Sequence, residues 1–497
     1  MGTKCVVLNA FLAIFALSIG VAQASVCRVT MAGTPAADGS DWGAQAMDLH
    51  TALGDTNCDE IWIEAGVYMP ASGSDRGISF VIDRNGLSVY GGFAGTETVR
   101  EQRDPALNLT VLSGDIGGDD TVNADGITAS SSDIVGGNSF HVLWVDGGTV
   151  NGAITPTTRI DGLVVTAGLA DVSDPWSSAG RGGGLYCNGE GGECSPTLSN
   201  LEFIGNRAFY SGGALYNRGV NGISSPVLDR VRFVANAAGQ VGGAIYNDAQ
   251  SGTSSPQLGD VTFTSNHVDA SGGAIYSLGM YGSSSPVISG ATFSGNSAVA
   301  EGGAMTSYGL AGNSEPQLIN ATFHANTAND GGAMFNNARS GGISSPLLLN
   351  VTFSANTAAN SGGAIYNEGL SNGISAPSLV NVILWGDSAA NLGAEMSSDS
   401  ATPALRDSIV AGGCPSGGDC SGGGIVDADP LLGPLQDNGG YTWTQLIGFA
   451  GAALDAGSDA DCPAFDQRGR DRPHGRHCDI GAVERTDRLF ADGFETP

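Results

Sequence analysis

From Gly182 to about Leu384 the apolar positions return at a period of about thirty residues, in seven copies. Each copy opens on a glycine pair, a small residue, an apolar residue and usually an aromatic: GGGLY at Gly182, then GGALY, GGAIY, GGAIY, GGAMT, GGAMF and GGAIY from Gly212, Gly242, Gly272, Gly302, Gly331 and Gly362. A proline follows, from Pro196 in the first copy to Pro377 in the last. Beyond it stands a phenylalanine with an asparagine three residues on, from Phe203/Asn206 to Phe353/Asn356; the seventh copy decays to Ile383 and Leu384. No segment of the unit carries an apolar face at helical spacing, and glycine and β-branched residues are frequent, so helical repeats fail. Three short strands are predicted per copy: one at GGAIY, one after the proline, which is tolerated at a strand start, and one at VTF. A period between twenty and fifty residues marks a solenoid, a propeller or a repeat array, and thirty is short for a propeller blade. The prediction is an all-β chain, a right-handed parallel β-helix with coils of about thirty residues and capped ends, rising roughly 4.8 Å per coil.

In such a stack equivalent positions lie above one another. Leu185, Leu215, Ile245, Ile275, Met305, Met334 and Ile365 form one interior column, Leu198 to Leu379 a second, and the phenylalanines a third. Asn206, Asn236, Asn266, Asn296, Asn326 and Asn356 can pass an amide hydrogen bond along the axis, as stacked asparagines do in cross-β structure. Like charges stacked directly repel, and from Gly212 to Ala376 only twelve of 165 residues are Asp, Glu, Lys or Arg. Alternation sends the residue after each inward apolar position outward. That column is Tyr186, Tyr216, Tyr246, Tyr276, Thr306, Phe335 and Tyr366, a candidate ligand-binding stripe for sugar rings or an extended partner. Stacked aromatics that only brace neighbouring strands are the alternative.

The GGAI-like element with its following FxxN resembles the repeat of the chlamydial polymorphic outer membrane proteins and related bacterial right-handed β-helix proteins, over some two hundred residues. The resemblance implies a β-helix at the cell surface or outside the cell, and it supplies no active site. A second, short resemblance lies at CPAFDQRGRDRPHGRHCDIGAVE, Cys462 to Glu484, whose DQRG, RP and CDIGAVE are similar to the choice-of-anchor Q segment found behind β-helices of exported bacterial proteins. Physically it reads as a disulfide-closed exit cap in which Asp466, Arg468, Arg472 and Asp479 pair.

The remaining chain sets the compartment. Residues 1–24 read as a signal peptide: Lys4, an apolar run from Val6 to Ile19, and Ala22-Gln23-Ala24 as cleavage site. The protein is expected to be exported, either extracellular or attached at the outer membrane surface, with no transmembrane segment. Without the leader, 19 arginines and no lysine stand against 50 acidic residues, so the net charge is 19 minus 50, or −31. Such a field excludes nucleic acid as a partner and leaves surface glycans or other cell-surface proteins. Eight cysteines remain, and their spacing suggests local disulfides: Cys27 with Cys58, Cys187 with Cys194, Cys414 with Cys420, and Cys462 with Cys478. No cofactor is implied and no metal site is assigned, with His474, His477 and Cys478 read as structural rather than zinc-binding. The acidic, glycine-rich loop holding Asp115, Asp119, Asp120 and Asp125 is a weak calcium candidate, set against an insertion solvated by its own charge.

The expected organisation is an N-terminal cap at 25–70, first coils with the acidic loop at 71–181, the seven repeats at 182–388, irregular coils at 389–460, the disulfide-closed segment at 461–485 and a tail at 486–497. In the cap, Asp41 is expected to start an amphipathic helix running through Leu53, with Trp42, Ala46, Leu49 and Leu53 on one face. Catalysis on a polysaccharide would need two or three carboxylates facing one groove, about 5 to 9.5 Å apart. The repeat carboxylates are scattered, no catalytic residue emerges, and fold alone does not license function. An adhesion, ligand-binding or structural role is therefore the first reading. A polysaccharide lyase or glycoside hydrolase acting on an acidic polysaccharide is the alternative.

Overall fold

The computed structural model describes residues 24–485; the C-terminal tail and the expected leader up to Gln23 lie outside the described residues. Every paired strand is parallel to its neighbour one coil away. Three stacks result, of 21, 10 and 8 strands, the largest containing two strand positions per coil. In one repeat the strands are Ile245–Asp248, Gln257–Gly259, Thr262–Thr264 and the two-residue His267–Val268. The last is a fourth strand beyond the three expected. Its inward residues, Ala170, Ala208, Ala238, Val268, Ala298 and Ala328, form a separate small-residue core column.

Register follows the repeat without slippage. Leu215 faces Ile245, Ile245 faces Ile275 and Ile275 faces Met305, and Leu228, Leu258, Ile288 and Leu318 align likewise. The first column continues back through Leu143 to Phe80, so the solenoid begins well before the recognisable repeats. Phe203 to Phe353 stack with ring centroids 4.4 to 5.2 Å apart and planes within 9°, a column wholly withdrawn from water. Coil corners are sharp. Gly242 has φ +65°, and a Cβ on Gly243 would stand 2.2 Å from the carbonyl oxygen of Gly273 in the next coil. Both glycines of the pair are thus required, one by conformation and one by close approach.

Two end structures differ from expectation. Val26–Val29 already pairs in register with Glu60–Glu64, and the helix is only Leu49–Gly54, capped by Asp48, whose Oδ1 accepts the Thr51 N–H at 3.0 Å. Asp41 instead accepts from Gly43 and Gln45, a turn stabilised by its own side chain. Trp42 leaves the helix face to pack with Trp62 and Phe93.

The C-terminal segment does not close the exit end. After the last rung, Ile425–Val426 on Ser408–Val410, the chain turns back and lies along the outside of the large sheet. Thr292 Oγ1 donates to the Trp443 carbonyl at 2.6 Å, Asn320 Nδ2 to that of Phe465 at 2.7 Å, and Asn350 Nδ2 to that of Asp479 at 3.0 Å. The buried Gln467 bonds Thr292, Thr322 and the Ala291 carbonyl. Within this arm Arg468 pairs with Asp466 at 2.7 Å and Arg472 with Glu484 at 3.1 Å, all four side chains buried. Arg472 thus finds Glu484 as its ionic partner, while Asp479 gives it only a backbone carbonyl, at 2.9 Å.

Candidate functional site

The asparagines make a continuous ladder. From Asn236 on, each Oδ1 accepts both the backbone N–H and the Nδ2–H of the asparagine one coil earlier, as at Asn236 to Asn266, 3.1 and 3.0 Å, and Asn206 at the head accepts the Gly168 N–H at 3.0 Å. Each Nδ2 from Asn236 on also donates to a phenylalanine carbonyl, Asn266 to Phe233 at 3.0 Å, while Asn206 Nδ2 reaches the Val165 carbonyl at 2.9 Å. All six are fully buried. Asp387 takes the next position, accepting from Asn356 at 2.7 and 2.8 Å. The four disulfides join Cys27–Cys58, Cys187–Cys194, Cys414–Cys420 and Cys462–Cys478.

The aromatic column lies outside the tube, yet it is not an open face. Tyr186, Tyr216 and Phe335 are 1 to 2% exposed and Tyr246 8%, with Tyr276 and Tyr366 partly buried. The rings stack 5.1 to 5.7 Å apart from Tyr186 to Tyr276, and Trp144, Val241 and Leu278 pack around them. Their polar ends are spent internally: Tyr216 donates to Asp248 at 2.7 Å and Arg218 to the Tyr186 oxygen at 3.1 Å. Burial raises the Tyr216 and Tyr246 hydroxyls well above the usual phenol range, with the Asp248 charge adding to it. The expectation of an exposed stripe is thereby corrected: alternation dictates which side of the strand a residue takes, whereas neighbouring side chains decide whether water reaches it.

In the acidic loop, oxygens of Asp115, Asp119 and Asp120 lie within 4.8 Å of one another, and Asp125 stands outside the group. The carboxylates of Asp115 and Asp120 are already engaged. Asp115 accepts backbone N–H groups of Gly118, Asp119 and Asp120, and Asp120 accepts from Val135, Asn138 and Thr128. They staple the loop to the first coils.

What does stay open is a cleft on the large sheet, about 770 Å³ in volume. One wall is the loop 100–106, which begins with a short 3-10 turn, Arg100–Gln102. The tip of the returning arm marks the other end, where Tyr441 lies 5.1 Å over the Arg230 guanidinium and accepts from its Nη1 at 3.2 Å. Gly162, Leu163 and Leu201 line the cleft between them. Its polar lining is a set of fixed pairs: Arg103 with Asp161 at 2.6 Å, Arg232 with Glu202 at 2.7 Å, and Arg230 with Asp229 at 2.8 Å. Asn200 also donates to Asp161 at 3.0 Å. Next to it Asp260 is raised above the ordinary carboxyl range by burial and then by the charge of Asp229. Sequence reasoning missed this site. The one trace was local, because Arg230 and Arg232 are two of only four cations between Gly212 and Ala376, and Glu202 precedes Arg232 at the same position one coil earlier.

Among the described residues no helix is long and apolar enough to cross a membrane. The Chlamydia polymorphic membrane protein repeat matches residues 260–278 and 350–368. No curated protein matches. Among solved structures, the catalytic domain of a GH87 alpha-1,3-glucanase in complex with tetrasaccharides matches at 13% identity and a TM-score of 0.29, covering 80% of this chain and 65% of that one. A likeness of that size carries no argument about activity. Together, the stacked parallel coils and the matched repeats make this chain a parallel β-helix repeat protein similar to the Chlamydia polymorphic membrane protein repeats.

Proposed function

We propose that the protein is exported and acts at or beyond the cell surface as a binding protein, holding an extended carbohydrate ligand in the cleft between the loop 100–106 and the arm tip. The observation that carries this reading is the cleft itself: paired planar side chains along a shallow run of coils, ended by an exposed aromatic, Tyr441, seated on Arg230. Four disulfides and the expected leader support an oxidising, exported setting. Adhesion to surface glycans is the role such a site would serve, and the long solenoid would hold it clear of its attachment point.

Polysaccharide cleavage is the second reading, favoured by one observation. Asp260 is held toward the protonated form beside Asp229 and Arg230, at the margin of the same cleft, and an acid and a carboxylate kept apart in protonation are what glycoside cleavage uses. A glycan array with product analysis on each retained glycan separates the two. Retention without cleavage, weakened about tenfold by Tyr441→Ala (roughly 1.4 kcal/mol), is the expected result. Cleavage products lost in Asp260→Asn would establish the second reading instead.

A further inference from the structure

We infer that the cleft takes an uncharged, hydroxyl-rich polysaccharide strand lying along the coil axis over two connected subsites, and that it rejects acidic polysaccharides; this rests on the binding reading above. The charge balance carries the first half. Four arginines line the cleft, Arg100, Arg103, Arg230 and Arg232, against Glu101, Asp104 and Glu202. Each arginine already holds a carboxylate of the protein, Arg100 that of Glu60 at 3.0 Å and the others as described. A ligand carboxylate would have to share a guanidinium with one of these and sit beside it, on a chain of net charge −30. Coulomb attraction therefore offers a polyanion no net gain.

Neutral hydroxyls meet no such conflict. The Arg232 guanidinium is 58% exposed and uses only Nη1 in its pair, leaving N–H donors of its five free. Carboxylate lone pairs of Glu202 and the amide of Asn200 stand on the same surface, so donors and acceptors alternate in planar forks suited to vicinal hydroxyl pairs. Tyr441 and Trp443, 65% and 57% exposed, offer apolar faces at the arm tip for ring stacking. Trp443 is fixed there through its carbonyl on Thr292.

A second cavity, about 570 Å³, shares Arg100 and Glu101 with the first and reaches Trp62 and Arg28, the latter 5.4 Å over the Trp62 ring. Trp62, Tyr90, Asp161, Ser199 and Asp229 occupy successive rungs of one column. At about 4.8 Å per rung the two cavities span roughly 19 Å along the axis, the length of a short oligosaccharide.

Affinity electrophoresis of the disulfide-intact mature chain in gels containing laminarin, dextran, xylan or polygalacturonate tests this, at about 20 and about 300 mM salt. The expected result is retardation by at least one neutral polymer, changed less than about twofold by salt, with none by polygalacturonate. Arg232→Gln and Tyr441→Ala should each weaken it about tenfold, while His267→Ala on the eight-strand stack leaves it unchanged; thermal unfolding of each variant reports folding separately. Salt-sensitive retardation by polygalacturonate overturns the inference and leaves a binding protein for acidic glycans. Neutral retardation indifferent to both variants overturns the site but not carbohydrate binding, and no retardation by any polymer overturns both.

Discussion

Asn266 uses every polar atom it has: its Oδ1 takes two N–H groups from Asn236, its Nδ2 serves Asn296 and the Phe233 carbonyl, and its own N–H reaches Asn296. Replacing it with Ala strands buried groups on two coils at once, an expected loss of about 1–3 kcal/mol per unsatisfied group, measured by chemical denaturation. Unchanged stability would remove the ladder from any account of the fold. Asp387 ends the column because its Oδ1 accepts from Asn356 while the side chain has no amide N–H to pass onward. Its Oδ2 and the Glu395 Oε2 are buried without a donor, and burial first, then the charge of Glu395, raises Asp387 far above the ordinary carboxyl range. A raised folded value means that this contribution to stability is complete below the unfolded value near 4 and is lost as pH rises through the folded one. Melting temperature should therefore fall with rising pH more steeply in the wild type than in Glu395→Gln, where the neighbouring charge is gone.

Among the elements, the returning arm is the one whose position the repeats do not dictate. It is held by polar side chains, with Gln467 at its centre. Gln467→Ala should loosen the arm by about 1–3 kcal/mol while the coils melt unchanged, seen as faster amide exchange confined to 436–485. Asp479 makes the docking pH-dependent. Burial lifts its carboxyl to about 7 against N–H bonds from Asp455 and Arg485 that favour the ionised form. The arm is thus held more tightly with Asp479 protonated, and its exchange protection should be complete near pH 4, decline as pH rises from about 4 to about 7, and level off above the folded value. Flat protection over that range in the wild type would exclude Asp479 as the cause.

On the scale of the whole molecule the solenoid is close to a one-dimensional stack, in which each coil contacts its neighbours and stability accumulates coil by coil. Removing residues 240–269, one period of thirty, should leave the parallel pairing intact, with unchanged circular dichroism per residue and lower thermal stability. The cleft lining, up to Arg232, precedes this deletion, while the arm's anchors on Thr292, Asn320 and Asn350 follow it. The loop 100–106 stays with the coils before it and the arm with the coils after it, so the cleft shortens by about 4.8 Å and ligand retention should be lost from a folded protein. Retention that survives the deletion would place the ligand elsewhere.

Period, column composition and cysteine spacing are properties of the chain read along its length, and they determined the β-helix, its three large core columns, the asparagine ladder and the local disulfides. Each depends on residues one coil or less apart. The fourth ladder escaped notice because alanine in a two-residue strand carries no hydrophobic signature. Tyr186 and Tyr216 lie on the outer side of their strands as alternation requires, but only packing by Trp144, Val241 and Leu278 settles that water does not reach them. The arm and the cleft were decided by tertiary structure alone. Thr322 meets Gln467 across 145 residues and Arg230 meets Tyr441 across 211, contacts that no repeat enforces, because they follow from where a non-repeating segment finds partners for its buried polar groups.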